Sequence, residues 1–68
     1  MSIQQGIKKI RYLLNVNQTE LAELLNVSRS LINYFENGKK NPSTQTFKKL
    51  NDLIKERNLD MNIEEFLL

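Results

Sequence analysis

The chain has 68 residues with no cysteine and no histidine, which is enough for one small domain with a single hydrophobic core. The lack of cysteine excludes disulfides, thiolate metal sites and a thiol nucleophile, and the lack of histidine removes the commonest metal ligand and general base. No apolar run approaches the length of a membrane span, and the first residues do not form a signal peptide. We therefore expect a cytoplasmic protein that needs no metal or cofactor and does not contact a membrane.

The net charge of +2 is distributed unevenly along the chain. Residues 1–41 carry six basic and three acidic side chains, whereas residues 42–68 carry four basic and five acidic ones. A basic first part indicates a polyanionic partner, although solvated surfaces routinely carry a net charge of this size.

Helical periodicity covers most of the chain and strand signals are nearly absent, so the sequence predicts an all-α protein. The first helix is predicted over residues 3–14, where Ile3, Ile7, Ile10 and Leu14 form one apolar stripe.

The second helix is predicted over residues 18–25. Asn17 is a good N-cap, and Glu20 three residues later completes a capping-box pattern. Asn26 tolerates the left-handed conformation that ends a helix, and Ser28 is a strong N-cap for the next one. The chain must therefore turn sharply between two adjacent helices.

The third helix is predicted over residues 29–37, with Gly38 as its left-handed end. At 100° per residue, Ile32 and Phe35 share the buried side. The other side is polar and carries Ser30, Asn33, Tyr34 and Asn37.

Two further helices are predicted in the second part of the chain. The fourth runs over residues 44–57 after an N-cap at Ser43, and its apolar stripe consists of Phe47, Leu50, Leu53 and Ile54. A short fifth helix is predicted over residues 63–67, with Asn62 as N-cap and Glu65 as its capping-box partner.

Residues 18–37 meet the requirements of a helix-turn-helix. Ala22 is small enough for a close contact between the two helices, and Asn26 suits the turn. The inner faces have apolar residues where they are needed, namely Leu21, Leu25, Val27, Ile32 and Phe35.

The segment NQTELAELLNVSRSLINYFENGKKNPS resembles the helix-turn-helix domain of the phage repressor/Cro family of transcription regulators. The resemblance extends over residues 3–67 and is densest over residues 17–43. It implies a compact five-helix bundle, a symmetric dimer and a pseudo-palindromic DNA operator. The chain departs from the family at Asn26, where glycine is usual, and in having extra residues between Leu50 and Ile63.

The family's pattern implies that the third helix reads bases in the major groove. The matching positions are Arg29, Ser30 and Tyr34, with Asn33 nearby. Arginine suits a bidentate contact to guanine, and asparagine suits adenine. The alternative is a solvated helix face, but such faces are usually rich in lysine and glutamate.

The family's pattern also implies phosphate contacts around the third helix. They fall on the start of the second helix, on the loop after the third, and on helix one, namely Asn17, Gln18, Lys39, Lys40, Asn41 and Arg11. Asn17 otherwise only caps its helix, and the lysines are otherwise ordinary solvated cations. Arg11 and Glu36 match a family ion pair in which the arginine grips the carboxylate and still faces a phosphate; otherwise they are unrelated surface charges.

The end of the chain has a surplus of apolar side chains. Ile63, Phe66 and Leu67 are candidates for a dimer interface, together with Leu59 and Met61. The alternative is that they only close the core. A dimer would place two half-sites about 34–36 Å apart.

The sequence thus favours a DNA-binding regulator, most simply a dimeric repressor. A protein-interaction or antitoxin-like module on the same fold is the alternative. An enzyme is disfavoured, because the carboxylates have the spacing of a solvated face: Asp52, Glu56, Asp60, Glu64 and Glu65. No catalytic residue, metal site or small-molecule ligand is expected.

Overall fold

A computed structural model describes residues 2–61, which form four α-helices and no strand. The helices are α1 (Ile3–Leu14), α2 (Gln18–Leu25), α3 (Arg29–Glu36) and α4 (Thr44–Glu56). The all-α prediction is therefore confirmed for the described part of the chain. The predicted count of five helices is not matched there, since four are found and residues 63–67 lie outside the described range. No helix within residues 2–61 is both long and apolar enough to cross a membrane.

The helix starts lie at the predicted residues because each follows a side-chain cap. In α2 the capping box is complete: Asn17 Oδ1 accepts from the Glu20 N–H at 2.8 Å, and Glu20 Oε1 accepts from the Asn17 N–H at 3.0 Å. Ser28 and Ser43 cap α3 and α4 through their hydroxyl oxygens. A second capping box, between Ser2 and Gln5 at the start of α1, was not predicted.

Two predicted helix ends are one residue too long. Asn37 and Arg57 are the C-caps of α3 and α4 rather than their last helical residues. Helices fray by a residue at their ends, and periodicity alone does not fix that position.

The turn between α2 and α3 depends on Asn26, which has a φ of 55°. This left-handed residue lets the Val27 N–H donate to the Ala22 carbonyl at 2.9 Å, which closes the end of α2. Lys49 of α4 donates to the Leu25 carbonyl at 3.1 Å and so satisfies another carbonyl of the same helix end. The short connection and its asparagine are confirmed.

One hydrophobic core joins all four helices. The predicted inner faces of α2 and α3 are buried, with Val27 half-buried against the core. Met61 is buried in this core and Leu59 packs against it, so these two side chains close the core. The other predicted interface residues, Ile63, Phe66 and Leu67, lie outside the described residues.

Helix α3 is held from one side only. It packs against both α1 and α2, and its buried apolar side chains are Ile32 and Phe35. The opposite side of α3 is consequently left at the protein surface, and this geometry positions the candidate site.

Candidate nucleic-acid interface

The polar side of α3 is a continuous surface of uncharged and basic side chains. Arg29 and Ser30 are exposed in the first turn, and Tyr34 is 37% exposed one turn later. Asn33 is half-buried between them and Phe35. The four predicted base-reading residues therefore lie on one side of a single helix.

Tyr34 is in contact with a lysine of the following loop. The Nζ of Lys40 lies 5.3 Å from the centroid of the Tyr34 ring, within the range of a cation–π interaction. The chain can return in this way because Gly38 has a φ of 72°, after which the Lys39 N–H donates to the Tyr34 carbonyl at 2.9 Å. The loop thus brings one predicted phosphate-binding residue beside one predicted base-reading residue.

The rest of this loop points away from the core. Lys39 and Asn41 are exposed, and Pro42 is buried and anchors the chain before α4. The positive charge of the loop is therefore available to a ligand that approaches the polar side of α3.

Arg11 of α1 forms a bidentate salt bridge with Glu36 of α3. Its Nε lies 2.7 Å from Glu36 Oε2, and its Nη2 lies 2.9 Å from Oε1. Glu36 is only 6% exposed, and Gln18 Nε2 donates to Oε1 at 3.4 Å. Arginine has five N–H donors, so three remain for another anion.

The start of α2 forms a shallow concavity with the neighbouring cations. Its volume is about 370 Å³, and it is lined by Arg11, Asn17, Gln18, Thr19 and Arg29. The N-terminal N–H groups of a helix and two guanidinium groups favour an anion at such a place. Four of the predicted site residues, from three helices, are brought together here.

A family model described as "Helix-turn-helix" matches residues 7–62, which is most of the chain and includes all of this surface. The chain belongs to the Cro/repressor-type helix-turn-helix family. Members of this family are DNA-binding regulators of transcription. Searches of the curated proteins and of the solved structures gave no significant match.

Three contacts of this helix-turn-helix surface were missing from the sequence analysis. They are the hydrogen bond of Gln18 to Glu36, the contact of Lys40 with Tyr34, and a hydrogen bond from Asn37 Nδ2 to Asn33 Oδ1 at 3.0 Å. The first two join residues from different elements and leave no periodic signal. The third was within reach of sequence reasoning, because two asparagines four residues apart on a helix are neighbours.

Proposed function

We propose that this helix-turn-helix protein is a sequence-specific regulator that binds double-stranded DNA in the cytoplasm. It binds as a homodimer, places α3 in the major groove of a pseudo-palindromic operator, and represses transcription there. The observation that carries the proposal is the exposed polar side of α3, which presents Arg29, Ser30 and Tyr34, and the concavity with two arginines that Arg29 lines at its end.

The dimensions of α3 suit a major groove. An α-helix with its side chains is about 10–12 Å in diameter, so α3 fits a major groove that is about 12 Å wide. Its N-terminal end carries Arg29 and Ser30, and in this class of proteins the N-terminal residues of the recognition helix contact base edges.

Each side chain of this surface has a chemical partner on DNA. Arg29 donates two hydrogen bonds to a guanine edge, and Ser30 contacts a donor or an acceptor. The ring of Tyr34 packs on a thymine methyl group, and its hydroxyl reaches a phosphate. Asn33 contacts an adenine or another base through its amide.

Phosphate contacts hold the protein in register without reading sequence. The concavity at the start of α2 takes one phosphate between Arg11, Gln18 and the helix N-terminus. Asn17 uses its Oδ1 in the cap, so its Nδ2 serves this phosphate. On the other side of α3, the DNA phosphates are bound by Lys39, Lys40 and Asn41.

The dimer follows from the small number of base contacts that one α3 can make. A second copy doubles those contacts and sets half-sites one helical turn apart, about 34–36 Å. The proposed interface consists of Ile63, Phe66 and Leu67, which lie outside the described residues.

Selection from a pool of random duplexes, followed by sequencing, tests the proposal. We expect an enriched motif with two-fold symmetry. Arg29→Ala and Tyr34→Ala should each abolish the enrichment while circular dichroism shows an intact helical fold. Arg57→Ala is the matched control, because Arg57 is an exposed arginine outside α3, at the C-cap of α4.

The outcomes separate the competing functions. No enriched motif with the folded wild-type protein would overturn DNA recognition and favour a protein-interaction module. An enriched motif without two-fold symmetry would retain DNA recognition and overturn the dimer. Unchanged enrichment in both α3 variants would show that another surface reads the DNA.

A further inference from the structure

The amides of Asn33 and Asn37 form a pair along the polar side of α3. Asn37 Nδ2 donates to Asn33 Oδ1 at 3.0 Å. Asn33 is half-buried whereas Asn37 is exposed at the C-cap. Within residues 2–61, no hydrogen bond engages the Nδ2 group of Asn33.

This bond fixes which end of the Asn33 amide is available. An unrestrained asparagine presents its oxygen and its nitrogen equally well, and that freedom is what allows a bidentate contact to adenine. Here the oxygen is turned toward Asn37. The nitrogen, which only donates, lies on the opposite side of the amide carbon and faces away from Asn37.

Asn37 is the C-cap of α3 and lies one turn beyond Asn33, at the end of the helix opposite Arg29. It follows Arg29 by eight residues, which is about 12 Å along a helix axis. Within residues 2–61, the side-chain hydrogen bond that Asn37 makes is the one to Asn33, so its effect on the base assigned to Asn33 acts through that bond.

We infer that Asn37 is a positioning residue that holds the Asn33 amide with Nδ2 toward the base edges, so that this operator position is read as a hydrogen-bond acceptor. The inference rests on the proposed function and deepens it. In the major groove guanine presents only acceptors, N7 and O6, whereas cytosine presents the N4 donor. The Asn33 position therefore prefers guanine to cytosine.

The Asn33→Ala variant identifies the base position that Asn33 contacts, which is one column of the aligned, enriched sequences. Selection from random duplexes with that variant should flatten one column of the wild-type motif and leave the other columns unchanged. In the wild-type protein, guanine should exceed cytosine in that column by about three- to ten-fold in relative affinity, the value of one net hydrogen bond.

Two substitutions of Asn37 then change the same column in different ways. Aspartate only accepts, so Asn37→Asp draws Asn33 Nδ2 toward itself and turns Oδ1 to the groove. Cytosine should then exceed guanine by a similar factor. Asn37→Ala releases the amide, and the column should shift toward adenine, which takes the bidentate contact.

Gln45→Glu is the control for the added negative charge, because Gln45 is an exposed amide on α4. A charge change weakens binding to all sequences alike, so this variant should leave every column unchanged. Both Asn37 variants should fold, since the side chain is exposed and the backbone φ of −100° is open to any residue.

The inference is overturned if the column defined by Asn33→Ala keeps its guanine preference in both Asn37 variants. It is also overturned if Asn37→Asp lowers the affinity for all sequences equally and changes no column. A wild-type protein that enriches no motif would instead refute the proposed function, which is a different result from an unchanged column.

Discussion

Removing Arg11 should destabilise the protein by about 2–3 kcal/mol, because it leaves the Glu36 carboxylate buried without its partner. Two charge-assisted hydrogen bonds, at 2.7 and 2.9 Å, would be lost, and only the longer contact from Gln18 would remain. A single buried pair broken from one side costs about 3–5 kcal/mol. We expect a cost at or just below the lower end of this range, because the Arg11 side chain is 26% exposed, which lets water reach the carboxylate once the guanidinium is gone.

The variant Arg11→Met keeps most of the length of the side chain and removes its charge. The double variant Arg11→Met, Glu36→Met replaces the pair with apolar groups and leaves no buried charge. Such replacements are often neutral, so the double variant should be more stable than Arg11→Met alone by about 2 kcal/mol. Stability on this scale is a large share of the total for a small domain.

Urea unfolding followed by far-ultraviolet circular dichroism measures these free energies, and equal m-values show that the unfolded states are comparable. The losses should persist at high salt, because a buried pair is screened far less than a surface pair. If Arg11→Met lowers the free energy of unfolding by less than about 0.5 kcal/mol, the pair contributes no more than an exposed surface ion pair. Additive effects in the double variant would refute the buried coupling.

Three further substitutions test the turn, the core and the loop. Gly38→Ala should lower the free energy of unfolding in urea by about 1 kcal/mol, because the φ of 72° at Gly38 is left-handed. The added methyl group would also meet the side chain of Gln4. The same loss in a Gln4→Ala background would show that the backbone conformation, rather than this clash, is responsible. Ala22→Leu should cost about 1–3 kcal/mol, because Ala22 is buried where α2 packs into the core, and a neutral effect would contradict the close contact. Lys39→Ala should reduce the slope of log K against log salt by about 0.9 and leave the enriched motif unchanged; a changed motif would show that Lys39 reads bases.

The helices and their caps could be predicted from the sequence because the signals are local. Asn17 and Glu20 lie within one turn of each other, and Asn26 directly follows the helix that it ends. The side of α3 that is buried follows equally from the spacing of Ile32 and Phe35. Because the helical periodicity fixes the buried side of α3, it also fixes the opposite side as the exposed one.

The contacts between elements could not be derived in the same way. Lys49 reaches the Leu25 carbonyl only because α4 packs beside the end of α2. Gln18, at the start of α2, reaches Glu36, at the end of α3, only because the turn packs the two helices against each other. The family's pattern supplied the pairing of Arg11 with Glu36, and nothing in the composition or the periodicity of the chain indicates it.

The buried Glu36 joins the proposed phosphate-binding residues of α1 and α2 to the proposed recognition helix α3. It lies at the end of α3 and holds Arg11 of α1 and Gln18 of α2 at the same time. In the proposed complex, a phosphate between Arg11 and the start of α2 would therefore fix the depth of α3 in the groove. Under that proposal, phosphate contacts, which carry no sequence information, set the geometry of the base contacts assigned to Arg29 and Asn33.

The proposed phosphate contacts predict a salt dependence that reports the number of bound copies. In the proposed complex each domain neutralises three phosphates, one in the concavity beside Arg11 and one at each of Lys39 and Lys40. At about −0.9 per phosphate, three neutralised phosphates give a slope of about −3 for one domain, and six give about −5 for two domains. The slope is measured by titrating the enriched duplex at several salt concentrations. A slope near −3 on a two-fold symmetric duplex would contradict dimeric binding, because it would show that only one copy contacts the phosphates.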